Sequence, residues 1–243
     1  MNIIELQGLR DWFENYAGEF CAKAENEKDK NSHLIKKEHS ERVYDNALEI
    51  GKSLSLNEGM LHTAGAIGLL HDIGRFEQYK QFHTFKDSES KDHGDMGADV
   101  LVETNVLKAF DRHTAMNILT GVRYHNKKYI PADLDDERLL LVKIIRDADK
   151  LDIYEVFRQT YVQEDINRTL VWDMPDTPGI TKEVAEAVLA GQMVDIKSLN
   201  NVNDFKVLKI SWLFDINFNR TYELIKERGV IPMLLDTDRK STR

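Results

Sequence analysis

The sequence predicts an all-α protein. Hydrophobic residues recur at three- and four-residue steps along nearly the whole chain, the signature of helices with one buried face. Only 4 prolines and 13 glycines interrupt 243 residues, which suits long helices better than many short strands. No internal repeat or low-complexity segment breaks the pattern.

The elements follow in chain order. Leu6, Leu9, Phe13, Tyr16, Phe20 and Ala24 mark an amphipathic helix over about 3–24. The charged stretch Glu25 to Lys30 reads as a solvated connection. A second helix over about 32–54 carries His39, Val43, Ala47, Ile50 and Leu54 on one stripe. Ser55-Leu56-Asn57-Glu58 has the form of a capping box that starts a third helix, ending near Asp72 with Gly74 as its stop. The polar and aromatic stretch Phe76 to Asp92 reads as a long loop that covers a site. Helices are expected at about 93–104, 112–126 and 136–162, with Pro131 and the acidic run Asp133 to Glu137 between the last two. Trp172 to Ile180, with two prolines and a glycine, reads as a loop. Helices follow at about 182–191 and 203–228, then a frayed polar tail from Asp236 to Arg243. No boundary is sharp enough to divide the chain, so 1–243 is expected to be a single all-α domain.

Composition narrows the function classes. The formal charge of −9, from 33 basic and 42 acidic side chains, disfavours binding of a nucleic-acid polymer over the whole surface. It leaves room for a small phosphorylated substrate, because a metal's charge dominates its own pocket. The single cysteine, Cys21, cannot form an intramolecular disulfide, and a cysteine-based zinc cluster is excluded. No apolar run reaches the roughly 18 to 20 residues of a membrane span. The N-terminus lacks a basic stretch followed by an apolar one, so a cytoplasmic location is expected.

The chemistry concentrates in a few histidines and aspartates. His71 and Asp72 lie at the end of an apolar helix, in Leu69-Leu70-His71-Asp72-Ile73-Gly74-Arg75. Burying an imidazole beside a carboxylate costs several kcal/mol unless something pairs them. A divalent metal does so, and this ligand chemistry suits Mn, Fe, Co, Ni or Zn. His39 lies on the apolar stripe of the preceding helix, and Asp149 follows the apolar run Ile144-Ile145.

The ordered set His39, His71-Asp72, Asp149 resembles the HD-domain superfamily of metal-dependent phosphohydrolases, over about residues 33–160. The resemblance implies an HD-like helical bundle over that stretch, and the helices expected beyond it make a C-terminal helical extension over about 163–243. It selects Asp149, in Ala148-Asp149-Lys150-Leu151, as the last ligand rather than Asp147 or Asp152. His93, in His93-Gly94-Asp95-Met96-Gly97-Ala98, is similar to the His-x-x-x-Gly-Ala segment of binuclear members, which also place a histidine where His125 stands. In such members Asp72 would bridge two metals. His39, His71 and Asp149 would complete the first and His93 and His125 the second. Mononuclear members also exist, so one or two metals per chain are implied. The chain lacks the Gly-Tyr-Pro stretch of the cyclic-dinucleotide phosphodiesterases and has Tyr124-His125-Asn126 instead of their double histidine, so cyclic dinucleotides are not the implied substrate.

Arg75 replaces the carboxylate or lysine that such proteins carry three residues after the His-Asp aspartate. Its planar fork suits a phosphate group, and a structural salt bridge is the alternative. The general acid stays open among Asp147, Asp95 and water. Arg123, Lys127 and Lys128 either line a phosphate pocket or form a solvated helix end. His33, His62 and His113 fall off the ligand faces and are expected at the surface or periphery, whereas His83 in the loop could approach a substrate. The expected activity is hydrolysis of a phosphate ester or anhydride, Asp72 and Arg75 taking part, with a nucleotide or related molecule as substrate. The rival readings are an HD-type di-iron oxygenase and a non-catalytic nucleotide sensor. The oligomeric state is not legible.

Overall fold

The computed structural model describes residues 1–162 and 174–240, and among them there is no β-strand. The all-α class is therefore as the sequence predicts. The chain divides into two compact units, 1–149 and 150–243, the division falling inside one helix directly after Asp149.

In the first unit, α1 (Ile3–Ala22) opens on a capping box: Asn2 accepts from the Glu5 N–H, and the Glu5 carboxylate accepts from the Asn2 N–H. It buries Leu6, Leu9, Phe13 and Ala17 against α2 (Glu27–Ser53) and α3 (Glu58–Leu70). Helix α2 begins earlier than the charge pattern suggests. Asn26 caps it through the Asp29 N–H, and Glu27 and Asp29 sit where the helix dipole favours negative charge, so most of 25–30 is helix rather than connection. The cap of α3 is Asn57, which accepts from the Met60 N–H at 2.9 Å, and Ser55 instead takes a left-handed turn with φ 54°. Helices α2 and α3 approach backbone to backbone. A Cβ on Gly68 would lie 2.9 Å from Tyr44 Cα and 3.0 Å from the Val43 carbonyl oxygen, closer than any side chain tolerates.

The stretch Phe76 to Asp92 is only partly loop. Helix α4 (Gly74–Phe82) and a 3-10 turn at Asp87–Glu89 occupy much of it. Gly74 does not stop α3; it is the first residue of α4. A Cβ there would lie 2.5 Å from the Gly97 backbone nitrogen, so the glycine lets α4 meet the start of α5 (His93–Glu103). Helices α6 (Arg112–Tyr124) and α7 (Asp136–Val162) complete the unit. Its core joins Val43, Ile50, Ile67, Leu70, Phe76, Leu101, Ile118, Val122, Leu141 and Ile144, all buried. Asn46 on α2 donates from Nδ2 to the Ala148 carbonyl on α7 at 3.1 Å.

The second unit contains α8 (Lys182–Leu189), α9 (Val202–Ser211), α10 (Asn219–Glu227) and α11 (Val230–Lys240). The helix expected over 203–228 is two helices, because a 3-10 turn at Trp212–Asp215 ends in extended backbone at Ile216 and Phe218. Val184, Phe205, Leu208, Leu224, Ile225 and Val230 form its core, and the Tyr154 hydroxyl donates to the Lys209 carbonyl at 2.7 Å. Residues 174–180 are loop, as expected; Trp172 and Asp173 lie outside the described residues. Residues 236–240 belong to α11 rather than to a frayed tail, and 241–243 lie outside the described residues. Among the described residues no helix is long and apolar enough to cross a membrane.

Candidate metal centre

The first unit brings six candidate ligands together. His39 lies midway along α2, His71 and Asp72 directly follow α3, His93 opens α5, His125 directly follows α6, and Asp149 lies on α7. Helix ends suit this task because neighbouring residues there need not diverge as they do within a helix. All are buried except Asp149, whose side chain is 21% exposed.

The ligand atoms form two lobes that share Asp72. In the first, His39 Nε2 and His71 Nε2 lie 3.1 Å apart. Asp149 Oδ1 is 3.2 Å from the former and 3.7 Å from the latter, and Asp72 Oδ2 is 3.6 and 3.7 Å from them. In the second, His93 Nε2 and His125 Nε2 are 2.9 Å apart, with Asp72 Oδ1 at 3.5 and 3.8 Å. Two ligands bonded to one metal at about 2.1 Å are about 3.0 Å apart at a right angle and about 3.4 Å apart at a tetrahedral one. The imidazole–imidazole and His39–Asp149 spacings are of this size, and the others, at 3.5 to 3.8 Å, are a few tenths of an ångström longer.

The hydrogen bonds behind the rings make the case for a cation. The Nδ1–H of His71 donates to the Gly68 carbonyl at 2.8 Å, and that of His125 donates to the Val122 carbonyl at 2.7 Å. The Nδ1–H of His93 donates to Asp87 Oδ2 at 2.7 Å. Each of these rings therefore turns an Nε2 lone pair inward. Burial, and after it the charge of Arg75, pushes His93 down to about 4; burial and then His71 do the same for His125. Burial also lowers His71. Two neutral imidazoles that face lone pair to lone pair at 2.9 Å repel unless a cation lies between them. The cluster thus fits a divalent metal, with Asp72 offering one oxygen to each lobe, and with two backbone carbonyls and the Asp87 carboxylate behind the rings to orient them.

The carboxylates are ionised. Burial pushes Asp72 up, but the charges of Lys36 and Arg75 hold it well below the usual carboxylate range. Burial likewise opposes ionisation of Asp149, and the hydrogen bond from His39 overcomes it. Asp87 is held at about 2: burial raises it, and the hydrogen bond from His93, with the charge of Arg75 and the hydrogen bond from Gln78, prevails.

Arg75 Nε lies 3.5 Å from Asp72 Oδ1. Its Nη1 donates to Gln78 Oε1, the Phe85 carbonyl and Asp87 Oδ1, so this edge of the fork ties α4 to the turn that anchors His93. Lys127 pairs with Asp92 at 2.7 Å and Asp95 at 2.6 Å, and Arg123 faces Asp95 at 3.4 Å, which engages these residues at the start of α5. Asp147 is fully buried. His113 is exposed and pairs with Glu137 at 2.6 Å, and His83 is exposed at the end of α4. His33 is not at the surface: it is 4% exposed and packs among Phe20, Phe76 and Tyr79, because α2 is covered on the α1 and α4 side as well as by α3. His62 is half-buried. A cavity of about 490 Å³ among α1, α2 and α4, lined by Trp12, Phe20, His33 and Tyr79, contains none of the six ligands.

Sequence reasoning missed Lys36, Gln78 and Asp87. Lys36 Nζ lies 2.8 Å from Asp72 Oδ2, and its position one turn before His39 on the same helix face was a usable signal. Asp87 and Gln78 carry no such periodic signal.

Residues 37–154 match the family model of the HD domain. No curated protein and no solved structure gave a match. The match spans all six clustered ligands, and residues 37–154 are an HD domain.

Proposed function

We propose that the protein is a metal-dependent phosphohydrolase that cleaves a phosphate ester or anhydride of a small molecule, a nucleotide or a related compound. The observation that carries this reading is Asp72, which divides its two oxygens between two sets of inward-facing imidazoles while Lys36 and Arg75 place positive charge beside it. His39, His71, Asp72 and Asp149 would hold one divalent ion, and Asp72, His93 and His125 a second. Bound metal supplies an acidified water as nucleophile and positive charge for the phosphoryl oxygens. The protein's own part is to keep the imidazoles neutral and oriented, to keep the carboxylates ionised, and to hold cations at the cleft. Arg75 contributes its charge from a position fixed by Gln78, Phe85 and Asp87.

The test is phosphate release from nucleoside mono-, di- and triphosphates and simple phosphate esters, after loading with Mn, Fe, Co, Ni or Zn. Turnover with at least one metal, abolished in Asp72→Ala, is expected. Oxygen uptake by the iron-loaded protein without phosphate release would replace the reading with an oxygenase, since these ligands serve iron equally well. Tight nucleotide binding without turnover under every metal would replace it with a sensor.

A further inference from the structure

We infer that Lys36 is a phosphate-binding residue of the metal centre: its ammonium group takes an oxygen of a phosphoryl group held at the His39 lobe. The inference takes its ligand class from the proposed function. Its geometry stands apart from it.

Lys36 lies on α2, one turn before His39, so both side chains leave the same face of the helix. Its Nζ is 2.8 Å from Asp72 Oδ2, the oxygen that faces His39 and His71. Its side chain keeps 20% exposure, whereas that of Asp72 keeps 4%, so the lysine lies between the buried carboxylate and the open side of the site. The Phe85 ring, 5.3 Å from Nζ, confines the ammonium to this position. The two cations of the site differ in their partners. Arg75 is engaged by Asp87, Gln78 and the Phe85 carbonyl, while the carboxylate that Lys36 pairs with is Asp72 itself.

That partner is the oxygen a metal in the His39 lobe would claim. A divalent ion there would withdraw charge from Oδ2 and repel the ammonium beside it. An anion that contacts both relieves the repulsion. A phosphoryl group has the charge and the several oxygens to do so, and lysine serves such groups as a mobile point charge.

The experiment measures inorganic phosphate binding by calorimetry to manganese-loaded wild type, Lys36→Met and Lys36→Arg, with metal content determined on the same samples. We expect unchanged metal content, phosphate affinity weakened about ten- to a hundredfold in Lys36→Met, and substantial recovery in Lys36→Arg. Wild-type affinity in a fully loaded Lys36→Met protein would overturn the inference, as would absence of phosphate binding by the wild type. Metal loss in Lys36→Met would also overturn it, by making the lysine a structural counter-ion of Asp72. Hydrolysis is scored separately. Lys36-dependent phosphate binding without turnover on any ester would sustain the inference and reject the phosphohydrolase; turnover with phosphate binding indifferent to Lys36 would do the reverse.

Discussion

The two lobes of the metal centre are built differently. The His39 lobe draws on residues of α2 and α7 and on the end of α3, and its His71 ring is fixed by a carbonyl of its own helix. It offers four protein ligands, two of them carboxylates. The His93 lobe offers three, and its His93 ring is fixed by Asp87 from a 3-10 turn outside the main helices. A fourth protein ligand and a second carboxylate add to the grip on a divalent ion. The difference teaches that the two lobes should hold metal with unequal firmness, the His39 lobe the more tightly.

The sharpest way to break this comparison is to remove what the lobes share. Asp72→Ala should lose nearly all bound metal, read by elemental analysis of protein purified without added metal or chelator. It should also lose all phosphate release. Full metal content in that variant would sink the assignment of both lobes. Removing one lobe at a time comes next. His93→Ala and His125→Ala should each bind about half as much metal as wild type. If wild type and both variants hold the same single ion, the His93 lobe is an arrangement of polar residues beside a mononuclear centre.

A smaller effect is expected at Asp87, which is no candidate ligand and meets the centre through His93 and, at one remove, through Arg75. Asp87→Ala should weaken the metal of the His93 lobe about ten- to a hundredfold, in the manner of other residues that orient a ligand ring. The His39 lobe should keep its affinity. Two-phase metal titration, with Asp87→Asn as the conservative partner, measures this. Equal weakening of both lobes would show that Asp87 supports the fold of the centre and not one ring.

The same contrast governs what was legible in the sequence. Residues set by helical spacing were readable: His39 belongs to an apolar stripe, and His71 and Asp72 end an apolar helix; Asp149 follows Ile144 and Ile145 on α7, but only the resemblance chose it over Asp147 and Asp152. His93 and His125 needed the family resemblance, since each lies where a helix begins or ends. Asp87 and Gln78 stayed hidden because their roles come from a short helix and a turn whose contacts are set by tertiary packing. Helix α4 itself was obscured by its length of nine residues and by Gln78, a polar residue at a fully buried position. His33 misled for a related reason: an angle measured from one buried stripe says little about a helix covered on two sides.

The smallest expected effect tests whether the His39 lobe owes its firmness to the helix pair beneath it. Gly68 plays two parts there. Its lack of a side chain lets α3 touch the α2 backbone at Val43 and Tyr44, and its carbonyl accepts the His71 Nδ1–H. In Gly68→Ala the added methyl meets backbone, which cannot rotate away, so the helices must separate. Overpacking of this kind costs about 1 to 3 kcal/mol and should lower Tm by several degrees. Because His39 rides on α2 and His71 on α3, the same separation stretches the 3.1 Å spacing of their Nε2 atoms. Metal affinity of the His39 lobe should therefore fall with Tm, while the His93 lobe, carried by α5 and α6, should hold. A variant that unfolds earlier yet titrates metal like wild type would show that the lobe is tuned locally, by the Gly68 carbonyl and Asp149, and not by how closely the two helices meet.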